Sequence, residues 1–96
     1  MFQEEYSKPQ YLRSILTNAP LIDKNIRDEM EESVLKYGAF HSFHEAYGVL
    51  KEEVDELWDE IKIREHNYDR IYQEAIQVAA MARKIALCAL FGTYEW

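Results

Sequence analysis

Four oxygen-bearing side chains could hold a divalent cation between two neighbouring helices. Glu53 and Glu56 are three residues apart in a stretch with helical periodicity, so both side chains lie on one helix face. Glu74 and Gln77 repeat that spacing in the next helical stretch. If the two helices pack antiparallel, three carboxylates and one amide converge on one point. Oxygen ligands of this kind suit Mg²⁺ or Mn²⁺ rather than zinc.

Glu74 is the most unusual of these residues because the helix around it carries almost no other charge. A lone carboxylate is costly to bury unless it is paired, hydrogen-bonded or bound to a metal. Arg70 and Lys84 flank the helix face that Glu74 occupies. The alternative to a metal site is therefore a salt bridge from Glu74 to a cation, with the acidic residues of positions 45–65 forming a solvated face.

The elements that must position these side chains are all helical. Apolar residues recur at helical spacing, whereas glycine and proline are scarce. The pattern predicts four helices, the first of them short, over residues 7–16, 21–37, 42–64 and 70–90. Ser7 and Ser42 each begin a capping box, and Gly38 ends the second helix. Residues 17–20, which end in proline, separate the first two helices, and Asn67 or Asp69 caps the last one.

We interpret residues 1–96 as one all-α domain, a helical bundle whose core is completed by oligomerisation. Hydrophobic residues make up 48% of this short chain, and the last helix is apolar on nearly every side. The third helix carries an apolar stripe formed by Phe43, Tyr47, Leu50, Val54, Leu57 and Ile61. Three short partner helices cannot cover the last helix within one chain. We therefore expect a homodimer or homotetramer with Tyr47, Trp58 or Leu87 at the interface.

Composition excludes several classes of function. A net charge of −7 argues against a nucleic-acid partner, which requires clustered Lys and Arg. No apolar run is long enough to cross a membrane, and residues 1–5 lack the features of a secretory signal, so we expect a cytoplasmic protein. The single cysteine, Cys88, lies in an apolar run that predicts a buried thiol. A di-iron bundle is excluded because no glutamate has a histidine three residues later.

A Glu-Glu-x-x-Glu segment is followed, after a short spacer, by a Glu-x-x-Gln segment. The two segments are Glu52-Glu53-Val54-Asp55-Glu56 and Glu74-Ala75-Ile76-Gln77. Together with the surrounding residues 43–90, they resemble the MazG-like all-α nucleotide pyrophosphohydrolases, in particular the short phage and bacterial members. The signature of that family is Glu-Glu-x-x-Glu followed by Glu-x-x-Asp.

This resemblance implies a helical bundle completed by dimerisation or tetramerisation. It also implies Mg²⁺-dependent cleavage of a nucleoside triphosphate to the monophosphate and pyrophosphate. By position, Glu53, Glu56 and Glu74 are the metal ligands, and Gln77 replaces the Asp that supplies the fourth ligand. An amide oxygen can coordinate Mg²⁺ but brings no charge, so the affinity for the ion should fall.

The remaining roles follow from the proposed chemistry. Glu52 and Glu53 are the candidate catalytic residues, because a carboxylate that the metal does not fully use could accept a proton from the attacking water. Lys51 and Lys84 are candidate contacts for the substrate phosphates, with an ordinary surface charge as the alternative for each. Gln77 also favours a rival hypothesis, a helical module that binds a nucleotide or a protein partner without hydrolysis.

Overall fold

The computed structural model describes residues 7–92, and this part of the chain is all-α with no strand. Its three helices are α1 (Lys8–Tyr37), α2 (Phe43–Ile61) and α3 (Tyr68–Phe91). None of the helices in residues 7–92 is both long and apolar enough to cross a membrane. The segment in which we looked for a secretory signal, residues 1–5, lies outside the described residues.

The first two predicted helices are in fact one continuous helix, so residues 7–92 hold three helices rather than four. α1 passes through Pro20, which lacks the N–H that would bond to the carbonyl four residues earlier. Asn18, expected to lie in a helix break, instead donates its side-chain Nδ2 to the carbonyl oxygen of Ser14 at 2.7 Å. The residues before Pro20 are almost all exposed, so water can solvate the carbonyl that loses its partner.

The predicted helix caps form, with one difference at α2. Ser7 and Gln10 make both hydrogen bonds of a capping box at the start of α1. Ser42 Oγ accepts the backbone N–H of Glu45 at 3.0 Å, which is the first half of a capping box. The Glu45 carboxylate, however, accepts the backbone N–H of His41 at 3.3 Å rather than that of Ser42. The start of α2 is therefore tied to the preceding loop.

The centre of the fold is α3, which packs against both α1 and α2. The buried apolar residues are Ile26, Phe40, Ala46, Ala80, Met81 and Cys88. Gly38, at φ 73°, ends α1 as predicted and turns the chain so that Phe40 enters the core before α2 begins. The cysteine is buried, as its apolar surroundings predict.

The apolar stripe of α2 faces solvent along much of its length. Ala46 is fully buried, and its neighbours Val49 and Leu50 pack against the core. Four of the six stripe residues are exposed in a single chain, namely Phe43, Tyr47, Val54 and Ile61. The face that α2 turns toward the core is thus rotated away from the stripe. One consequence is that Glu53, rather than an apolar residue, is half-buried on the inner side.

Candidate metal centre

Three carboxylates from two helices meet at the middle of the α2–α3 pair. One oxygen each of Glu53, Glu56 and Glu74 can be chosen so that all three lie within 4.8 Å of one another. Glu53 and Glu56 are three residues apart on α2, so their side chains lie on the same helix face. Arg70 at the start of α3 contacts Glu60 at the end of α2, whereas Glu74 further along α3 meets residues earlier in α2, so the two helices run antiparallel. We call these three residues the glutamate cluster.

Two oxygens of the glutamate cluster are buried without a partner. Within residues 7–92, neither Glu53 Oε2 nor Glu74 Oε2 has a hydrogen-bond donor. A buried carboxylate oxygen with no donor destabilises the folded protein, because it has lost its hydrogen bonds to water and forms none in the protein. An oxygen-only set of ligands with unpaired buried oxygens is chemically suited to a hard divalent cation such as Mg²⁺.

The electrostatics of the glutamate cluster disfavour negative charge. Burial, followed by the charges of Glu56 and Glu74, raises the pKa of Glu53 to about 7. The pKa of Glu74 is also raised, first by burial and then by the charge of Glu56, although Arg70 acts in the opposite direction. Without a cation, close carboxylates repel one another and retain protons to higher pH. The cluster therefore gains most from a ligand that carries positive charge.

Glu29 of α1 is a fourth acidic neighbour that the sequence reasoning did not select. Its charge contributes to the raised pKa of Glu53, and its own pKa is raised by burial and by the charge of Glu32. A signal was present in the sequence. Glu29 follows the buried Ile26 by three residues, which places it on the inner face of α1 rather than on the solvated one.

Gln77 lies beside the glutamate cluster, toward α1. It is half-buried and lines a cavity of about 380 Å³ together with Glu29 and Tyr72. Within residues 7–92 its amide makes no hydrogen bond to the three clustered carboxylates. The structure thus brings the three predicted carboxylate ligands together. Gln77 lies one helical turn beyond Glu74 and shares a cavity wall with Glu29, and its role as the fourth ligand stays a prediction.

The two cations that could have neutralised Glu74 are engaged elsewhere. Arg70 Nε forms a salt bridge with Glu60 Oε1 at 3.1 Å. Lys84 Nζ donates to Ser33 Oγ at 3.0 Å. The alternative arrangement, in which Glu74 is held by a salt bridge to Arg70 or Lys84, is therefore not the one that the structure adopts.

The remaining predicted residues differ in their exposure. Lys51 is exposed and forms a salt bridge with Asp55 at 3.0 Å, on the outer face of α2. Glu52 is exposed at the rim of a second, larger cavity. Lys84 is not a surface charge: its side chain is buried, because the loop after α1 folds Phe40 over it.

Comparison with known protein families, with characterised proteins and with solved structures gives no match for this chain. The likeness to the MazG-like proteins therefore depends on the two acidic segments themselves. What the structure itself shows is the convergence of Glu53, Glu56 and Glu74, with two buried oxygens that have no hydrogen-bond partner.

Proposed function

We propose that this protein is a Mg²⁺-dependent nucleoside triphosphate pyrophosphohydrolase, which converts a nucleoside triphosphate to the monophosphate and pyrophosphate. The observation that carries the proposal is the pair of unpaired buried oxygens on Glu53 and Glu74, beside the carboxylate of Glu56. Three clustered carboxylates, two of which have raised pKa values (Glu53 and Glu74), make a poor surface for an anionic substrate. The same carboxylates can bind an anionic substrate when a divalent cation lies between them and the triphosphate.

The glutamate cluster would hold Mg²⁺, or Mn²⁺ in its place, through Glu53, Glu56 and Glu74. When bound, the ion would offset the charge of the phosphates and make an attacking water more acidic. In the reaction, the oxygen of the water forms a bond to the α-phosphorus. The bond from that phosphorus to the bridging oxygen breaks, and pyrophosphate leaves with the electron pair.

The proton of the attacking water needs an acceptor, and Glu53 is suited to that role. An oxygen of this carboxylate that the metal does not coordinate could accept the proton, because Glu53 lies at the cation site itself. Glu52 is exposed at the rim of the adjoining cavity, where its carboxylate could relay the proton to solvent. Lys51 points outward in its salt bridge with Asp55, so it could contact only phosphates that extend out of the cluster.

The assembly that we propose is a homodimer or homotetramer in the cytoplasm, with no nucleic-acid or membrane partner. Support comes from large apolar side chains that no part of residues 7–92 covers. Tyr47 is 64% exposed and Trp58 58% exposed, and both lie on the outer face of α2. Leu87, the third predicted interface residue, is half-buried. A second copy of the chain packed on this face would remove the apolar stripe from water.

The test is pyrophosphate release from a panel of ribo- and deoxyribonucleoside triphosphates, with Mg²⁺ or Mn²⁺. Wild-type protein should release pyrophosphate only when the metal is present. Glu74→Gln should abolish release, because it removes charge from the glutamate cluster while preserving side-chain shape. Glu31→Gln, an exposed change of the same charge on α1, is the matched control and should behave like wild type.

A second function is favoured by one residue. Gln77 brings no charge to the position where the family signature has Asp, which suits a module that binds nucleotides or a protein without cleaving them. Under that hypothesis, Mg²⁺ with a triphosphate raises the melting temperature but no pyrophosphate appears. If neither a thermal shift nor pyrophosphate is observed with any metal or nucleotide, the hydrolase and the nucleotide-binding module are both wrong, and the module that binds a protein partner is favoured.

A further inference from the structure

A cavity of about 460 Å³ adjoins the glutamate cluster and extends toward the start of α2. Glu29 and Glu53 line its inner end, which it shares with the cluster. The buried side chains of Phe40 and Met81 supply apolar walls. Its volume falls in the range of small-molecule sites, and its lining combines these apolar walls with five glutamates and two lysines.

A buried ammonium group lies at the outer end of this cavity. Lys84 is only 2% exposed, its Nζ donates to Ser33 Oγ at 3.0 Å, and the ammonium lies 4.4 Å from the ring centroid of Phe40. Lysine is almost never fully buried unless it is paired. Lys84 nevertheless forms no salt bridge with a carboxylate of residues 7–92. Burial lowers the pKa of its amine, although the charge of Glu45 acts in the opposite direction.

The hydrogen-bonding capacity of this amine defines what it can recognise. A lysine ammonium has three donors and no acceptor, and Ser33 uses one of them. A group that approaches Lys84 through the cavity must therefore offer an acceptor. A carbonyl oxygen qualifies, whereas an exocyclic amino group would meet a donor and be rejected.

The distance from the glutamate cluster fits one part of the proposed substrate. Lys84 follows Glu74 by ten residues on α3, a backbone rise of about 15 Å along the helix axis. The Lys84 side chain leans back toward the N-terminus of α3 and lines the same cavity as Glu53, so its ammonium lies nearer to the cluster than this rise. A nucleotide with its α-phosphate at the glutamate cluster would bring the far edge of its base to the outer end of the cavity. The acidic side chains that line the cavity make it unsuitable for additional phosphates, namely those of Glu29, Glu32, Glu45, Glu52 and Glu53.

We propose that this cavity binds the nucleobase, and that Lys84 selects bases with a carbonyl oxygen at the distal edge, namely uracil, thymine or guanine, over cytosine and adenine. This inference depends on the proposed function for the position of the triphosphate. The selection itself does not depend on hydrolysis, because the base contacts lie at the opposite end of the cavity from the cluster.

The test compares kcat/KM for UTP and GTP with that for CTP and ATP, in wild type and in Lys84→Met. Wild type should favour the carbonyl bases by about tenfold or more. Lys84→Met keeps the length and apolar stem of the side chain but removes the donors, so UTP and GTP should lose about tenfold while CTP and ATP change little. Lys62→Met, at an exposed position with a salt bridge to Asp59, is the control and should leave the preference unchanged.

Two further measurements distinguish a failure of the proposed base site from a failure of the proposed hydrolase activity. Binding of the phosphate-free nucleosides uridine and cytidine, followed by protein NMR shifts at Phe40 and Met81, reports on the cavity alone. Uridine binding without any triphosphate cleavage would support the base site and count against the hydrolase.

An equal loss of kcat/KM for all four triphosphates in Lys84→Met would show a phosphate contact and overturn the base assignment. A wild-type protein with no preference among the four triphosphates would overturn it as well. If Lys84→Met does not fold, Ser33→Ala supplies the second variant and should weaken the same preference.

Discussion

Replacing Glu53 with glutamine tests whether the glutamate cluster lowers the stability of the metal-free protein at neutral pH. Glu53→Gln removes one negative charge from the cluster and keeps the shape of the side chain. The wild-type residue is half-buried between Glu56 and Glu74, and its pKa is raised to about 7 from an ordinary value of 4.5. Between these two pH values the folded protein holds a proton on Glu53 that the unfolded chain has released. The wild-type protein must therefore lose stability as the pH rises from 4.5 to 7.

The size of this loss follows from the pKa of Glu53. One pKa unit corresponds to about 1.4 kcal/mol, so the change from 4.5 to about 7 sets an upper value of about 3 kcal/mol. Partial exposure of the carboxylate to solvent screens the repulsion and reduces the effect to about 1–2 kcal/mol. For a domain of this size, that difference corresponds to a melting temperature about 5–10 °C higher in Glu53→Gln at pH 8. At pH 4.5, where the folded wild type is protonated, the two melting temperatures should be nearly equal.

The assay is thermal unfolding followed by circular dichroism at pH 4.5, 6 and 8 in a metal-free buffer. Glu52→Gln, an exposed neighbour with the same change in charge, is the control and should shift the melting temperature little at any pH. Adding Mg²⁺ at pH 8 should raise the melting temperature of wild type and have a smaller effect on Glu53→Gln. A Glu53→Gln variant that is no more stable than wild type at pH 8, or that has the same stability advantage at pH 4.5, would contradict a raised pKa at Glu53.

Three other outcomes are expected. Gln77→Asp should raise pyrophosphate release about tenfold, which requires about 1.4 kcal/mol of transition-state stabilisation. The same change should lower the melting temperature of the metal-free protein, because it adds a carboxylate beside the glutamate cluster. Unchanged turnover would show that Gln77 does not limit catalysis. Pro20→Ala should slow amide hydrogen exchange in residues 8–19 by tenfold or more, because proline costs about 3 kcal/mol inside a helix. Unchanged exchange would mean that this segment of α1 opens independently of Pro20. Light scattering should give a dimer or tetramer mass, and Trp58→Glu should shift it toward the monomer; a monomer mass for wild type at micromolar concentration would contradict the proposed assembly.

The sequence was sufficient for features that depend on neighbours along the chain. Ser7, Ser42 and Asn67 cap helices as predicted, because a cap needs only a side-chain oxygen and an N–H three residues away. The pairing of Glu53 with Glu56 on one face is likewise a consequence of the helical repeat. The all-α class and the buried thiol of Cys88 followed from composition and from apolar patterning.

Three features depended on contacts between distant parts of the chain. Helix α1 continues through Pro20, although the residues at positions 17–20 are typical of a break. The inner face of α2 is rotated away from its apolar stripe, because Ala46 allows close packing on α3 and the stripe is left to solvent. Glu29 joins the surroundings of Glu53 only because α1 also packs on α3.

Lys84 shows most clearly what only the tertiary structure decided. In the sequence it is one cation in an apolar helix, equally compatible with a surface charge and with a phosphate contact. The structure buries it because the turn at Gly38 sends Phe40 across its ammonium group and α1 presents Ser33 as an acceptor. These partners lie 44 and 51 positions away in the chain, so no local pattern encodes the environment of this lysine. Helix periodicity determined which side chains share a face, and packing between the helices decided which faces are buried and what lies opposite them.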